Sequence, residues 1–119
     1  MIATAETICG RLNAVVAVDR RTGPTLTAIA RSANRLARVE QAAVNELAKL
    51  NAPATLNHAW RLIIAYRQKL ANNIVALSQD AQRGEVAKFD PLGTSNRAVM
   101  RQLLTTAKHA GLNNCSYVG

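Results

Sequence analysis

Apolar residues recur along this chain at steps of three and four. Nowhere do they alternate with period two for long enough to form a strand. Four amphipathic segments follow. The first covers about 5–18 and sets Ile8, Leu12, Val15 and Val16 on one face with Cys9 beside them. Thr4 can cap it, and Glu6 lies near the positive end of its dipole. Gly10, inside the segment, costs about 1 kcal/mol relative to alanine unless close packing requires it. The run DRRTGP at 19–24 combines Gly and Pro and reads as a turn. The second helix covers about 25–50, with a seam of Leu26, Ile29, Ala33, Leu36, Glu40, Ala43, Leu47 and Leu50. Steps alternating between three and four are the pattern of bundle helices crossing at a shallow angle.

NAPA at 51–54 breaks that helix, and Thr55 offers an N-cap for a third over about 56–83. Its inner stripe is Leu56, Ala59, Trp60, Ile63, Tyr66, Leu70, Ile74 and Leu77, and Gly84 ends it. Residues 85–93, EVAKFDPLG, suggest a single helical turn ending before Pro91, with Phe89 tucked against the core. The last helix is expected over about 95–110, with Val99, Leu103, Ala107 and Ala110 inward, Met100 and Leu104 widening the stripe, and Gly111 as its stop. The fold class is therefore all-α: a single domain over 1–119, an up-down-up-down four-helix bundle. Glu40 is its one anomaly. It lies either at the edge of the seam or buried with a partner such as an arginine. The scarcity of unpaired buried carboxylates favours the edge, with Val39 and Val44 carrying the packing instead.

Topology then gives the two cysteines a meaning. In an up-down-up-down bundle the start of the first helix and the end of the fourth share one end. Cys9 and Cys115 are thereby brought together, and a bond would join the N- and C-terminal ends of the bundle. It would close a loop of 106 residue steps (115 − 9), worth about 4–5 kcal/mol on chain-entropy grounds. The alternative is two free thiols. A bond implies an oxidising compartment, hence an extracytoplasmic or secreted protein. The opening MIATAETICG has neither a basic n-region nor a long apolar stretch. Either the protein is cytoplasmic, or this chain is the mature part of an exported one.

Charge alters the picture of partners. Fifteen Lys and Arg against seven Asp and Glu give +8, which suits nucleic acid, acidic lipid or cell-wall polymers, or solubility alone. Arg31, Arg35 and Arg38 share one face of the second helix and form a candidate anion- or partner-binding stripe. Arg67, Lys69, Arg97 and Arg101 make the expected surface basic elsewhere. Four aromatic residues in all, Trp60, Tyr66, Phe89 and Tyr117, are poor material for a base-stacking platform, and Trp60 and Tyr66 belong to the core or to a pocket between helices. Nucleic acid is therefore the less favoured partner. His58 and His109 lack metal-ligand spacing, the serines lie in no nucleophile elbow, and phosphate-cradling glycine loops are missing. No catalytic residue, metal or cofactor is expected, and no segment reaches the roughly 18 apolar residues of a membrane span.

ICGRLNA near the start, LAKLNAPATL before the third helix, the Gly84-Glu85 step leading to Phe89, and AGLNNC at the end also resemble a group of small helical domains. These occur in secreted proteins and lipoproteins of actinobacteria and their relatives. The resemblance spans nearly the whole chain and implies a helical fold with its outer cysteines paired, without a defined activity. This chain departs from the pattern in lacking a signal peptide and lipobox and in the break at 91–93. The expected function is a non-enzymatic exported binding or structural domain that engages a protein or an anionic envelope component. The alternative is a basic cytoplasmic nucleic-acid-binding protein. The second-helix seam could also serve a homo-oligomer.

Overall fold

A computed structural model describes residues 1–19 and 25–116, with side chains at 1–14 and 25–115. The expected turn at 19–24 therefore lies outside the described residues beyond Asp19. So do the inward placement of Val15 and Val16, and Tyr117. The chain is an all-α, up-down-up-down four-helix bundle: α1 Ile2–Asp19, α2 Leu26–Ala48, α3 Asn57–Gln82 and α4 Phe89–His109. Single 3-10 turns lie at Ala54–Leu56, Val86–Lys88 and Asn113–Ser116. Among the described residues there is no strand, and no helix is long and apolar enough to cross a membrane.

Local chemistry sets the helix ends. The hydroxyl of Thr25 accepts from the Ala28 amide at 3.1 Å and caps α2. Gly84 and Gly111 close α3 and α4 at φ 69° and 74°, values open to glycine without steric cost. Each closure is doubly bonded. Glu85 N donates to Asp80 O at 2.8 Å and Gly84 N to Ala81 O; Leu112 N donates to Ala107 O at 2.8 Å and Gly111 N to Lys108 O. The second closure turns the chain and plants Leu112, 1 % exposed, in the core.

Three ends differ from the sequence expectation. α1 starts at Ile2 rather than near 5, so Thr4 lies within it, and its first bond runs from Ala5 N to Met1 O. Thr55 does not cap α3, because it sits in the 3-10 turn and the helix begins after Leu56 without a side-chain cap. α4 begins at Phe89, six residues before 95, and carries Pro91 and Gly93 within its opening turns. A proline there removes an N–H that has no intrahelical acceptor anyway, so it marks a start and not a break. Phe89 is only half-buried.

The expected α2 seam is buried at Ala33, Glu40, Ala43 and Leu47, whereas Ile29, Leu36 and Leu50 are only half-buried. Buried positions on α2 are Ala30, Ala33, Ala37, Glu40, Val44 and Leu47, with Ser32 and Ala43 beside them, while Leu26 is 38 % exposed. Small residues let α3 approach, and two polar ties fix the antiparallel register: Ser78 donates to Ala30 O at 2.9 Å, and Gln41 and Gln68 exchange amide hydrogen bonds at 2.7 and 3.0 Å. α4 lies against α3, where Asn73 donates to both Ser95 and Asn96. Val99, Leu103, Ala107 and Ala110 are buried as expected, whereas Leu104 faces outward at 40 % exposure. The core gathers Ala5, Ile8, Leu12, Leu47, Trp60, Ile63, Leu70 and Leu103 around the half of the bundle where both termini lie.

Candidate functional site

Cys9 and Cys115 are bonded, fully buried, with Cα atoms 5.0 Å apart. The last 3-10 turn packs on both α1 and α4, so the tail bridges the first and last helices. Hydrogen bonds on either side of the cysteines hold the same junction. Asn114 N donates to both carboxylate oxygens of Glu6, at 2.9 and 3.1 Å, and its side-chain amide donates to Glu6 O. Asn13 on α1 donates to Asn114 O at 3.0 Å.

Beneath the junction lies the group that explains Glu40. Arg67, on α3, is 1 % exposed and donates through Nη1 to Glu40 Oε1 at 3.3 Å and through Nη2 to Cys115 O at 2.7 Å. Glu40 is likewise 1 % exposed. Of the two placements open to Glu40, the buried one with an arginine partner is observed and the favoured edge placement is not; Arg67, expected at the surface, is that partner, and the two form a buried ion pair. Burial pushes the Glu40 carboxyl above its ordinary range, and the neighbouring guanidinium pulls it back only in part. Glu40 stands out in the sequence as an acid in an apolar seam. Arg67 had an equally plain signal, four residues after Ile63 and three before Leu70, but its charge argued against an interior position.

The stripe residues Arg31, Arg35 and Arg38 are exposed, as are Lys69, Arg97 and Arg101. Arg31 also lines an open groove of about 630 Å3 between the start of α2 and the end of α3. The groove's other walls are Leu26, Thr27, Ala30, Asn34, Ala81, Gln82, Arg83 and Gly84. Arg83 was not singled out from the sequence, because only the α2–α3 register brings it opposite Arg31. Trp60 is buried in the core; Tyr66 is half-buried and borders a shallow depression with Arg101 and Thr105. His58 and His109 are exposed. Among the described residues no three His, Cys, Asp or Glu side chains gather as metal ligands would. Comparison with protein-family models, with curated proteins and with solved structures finds no match to this chain.

Proposed function

We propose that the protein is an exported, non-enzymatic binding domain whose helical surface engages a protein or an anionic component of the cell envelope. The observation that carries this reading is the junction of the ends. The Cys9–Cys115 bond and five hydrogen bonds, one of them donated by the Arg67 of the buried ion pair, converge on Asn114 and Cys115. That is a scaffold built to keep its shape in an oxidising medium, where such bonds form and persist. Its buried charges, Glu40 and Arg67, are engaged with one another and with the tail carbonyl, while Arg31, Arg35 and Arg38 face solvent. The competing reading, a cytoplasmic nucleic-acid binder, draws on the same arginines; burial of Trp60 counts against it, because stacking on bases needs an accessible ring.

The test is a thiol titration of the native protein, alkylated at lysis and then denatured. No titratable thiol before reductant and two after it support the reading. Two before reductant would overturn the exported assignment and promote the cytoplasmic one.

A further inference from the structure

Resting on the reading of the chain as a binding domain, we infer that the α2–α3 groove carrying Arg31 and Arg83 binds the phosphodiester backbone of a linear polyanion that bears no bases.

Arg31 of α2 and Arg83, the residue that caps the end of α3, contribute one guanidinium each to this groove, and amides line it at Asn34 and Gln82. Among the described residues neither Arg31 nor Arg83 has a carboxylate within salt-bridge distance. Glu85, the acid closest to Arg83 along the chain, is paired with Lys88. Other basic side chains are engaged by acids: Arg11 by Glu46, and Arg67 by Glu40. Guanidinium groups left facing a groove present their donors in the fork that matches an oxyanion, and the +8 charge of the chain favours an anionic occupant.

The shape of the groove selects among anions. It is open, so it cannot enclose a small ligand as an ordinary pocket does. A chain that spreads several weak contacts along it gains by multivalency instead. Arg35 and Arg38 continue the basic face along α2 from Arg31, over roughly 10 Å at 1.5 Å per residue. Among the described residues no aromatic side chain lines the groove, so none of them stacks a base there. An acidic polypeptide would offer carboxylates to the same guanidinium fork, so polyglutamate is the comparator that separates phosphate from charge alone.

The experiment measures binding of a synthetic glycerol-phosphate polymer to the full chain across a salt series. A single-stranded oligonucleotide and polyglutamate of equal charge serve as comparators. Two double variants remove equal charge: Arg31→Gln with Arg83→Gln in the groove, and Lys49→Gln with Arg61→Gln at the opposite end of the bundle. The expected result is glycerol-phosphate binding near physiological salt, at least about tenfold tighter than either comparator. The groove variant should weaken it and reduce the slope of log affinity against log salt by about one to two, with the distal variant within about twofold of wild type. Equal losses in the two variants would show bulk charge alone, and equal or tighter binding of oligonucleotide or polyglutamate would show the wrong polymer. Either result, or no binding, overturns the inference. Specific binding by a protein with two free thiols would instead sink the exported assignment and leave the groove standing.

Discussion

Arg67 sits where a bundle usually places an aliphatic side chain. Taking a guanidinium and a carboxylate out of water costs several kcal/mol per ion, and their attraction recovers this only when further hydrogen bonds complete the geometry. Here the Cys115 carbonyl supplies one such bond at 2.7 Å. Arg67→Met should therefore leave Glu40 buried without its cation and the carbonyl without this donor, at a loss of about 3–5 kcal/mol in urea denaturation. Replacing both residues, Glu40→Met with Arg67→Met, should recover most of it. The orphaned carbonyl should still cost about 1–3 kcal/mol. If Arg67→Met alone costs under about 1 kcal/mol, the ion pair does not hold the tail. The pH dependence has a definite sign. Glu40's folded value lies above its ordinary 4.5, so the folded state binds its proton more tightly than the unfolded chain does. Its contribution is fully present below 4.5 and is lost as pH rises through the raised folded value. Wild type should gain on Glu40→Gln as pH falls from 7 towards 4.5, as read from paired denaturation midpoints. A difference that stays flat over this window would contradict the buried, raised carboxyl. From sequence, Glu40 was visible as an anomaly but its partner was not, because a single chain read helix by helix does not say which residue of α3 faces position 40.

At the level of elements, glycine and helical periodicity were the most legible features. Gly84 and Gly111 end their helices where the sequence places them, because a left-handed residue is needed there and only glycine adopts it freely. The α4 stripe was legible for the same kind of reason, since large apolar residues at helical spacing have one sensible place to go. The α2 seam was legible at Ala33, Glu40, Ala43 and Leu47 but not at Ile29 and Leu36. Leucine and isoleucine outrank alanine on any hydrophobic scale, yet close α2–α3 approach buries Ala30 and Ala37 beside them more deeply. The opening of α4 is not legible because a proline reads equally as a terminator and as a first-turn residue, and Pro91 is the latter. Gly10 lies in α1 facing the tail. A Cβ there would meet only Asn114 Nδ2, at 3.6 Å, an ordinary van der Waals contact. Close packing therefore does not demand glycine, and Gly10→Ala should stabilise the protein by about 0.5–1 kcal/mol through helix propensity and the unfolded chain. Thermal unfolding checks this; a fall in midpoint would mean that the Asn114 side chain cannot yield and that the tail is displaced.

For the whole molecule, the tail is held by two kinds of force that act on different states. The disulfide restricts the unfolded chain: closing 106 steps is worth about 4–5 kcal/mol by loop entropy. The hydrogen bonds of Glu6, Asn13 and Arg67 act in the native state and do not depend on the sulfur atoms. Cys9→Ser with Cys115→Ser should therefore lower global stability by about that amount while far-UV circular dichroism stays unchanged, because the four helices and the docked tail persist. Glu6→Gln separates the two forces. With the disulfide intact the tail cannot leave, so the substitution should speed amide exchange at Asn114 only modestly. In the double serine variant it should release the tail by local opening, and exchange at Leu112 and Cys115 positions should quicken together with Asn114. The two effects are then strongly non-additive, as expected of groups that share one structural element. If instead the double serine variant alone already exchanges at Leu112 as fast as an unfolded segment, the hydrogen bonds contribute nothing to docking, and the bundle end is closed by sulfur alone.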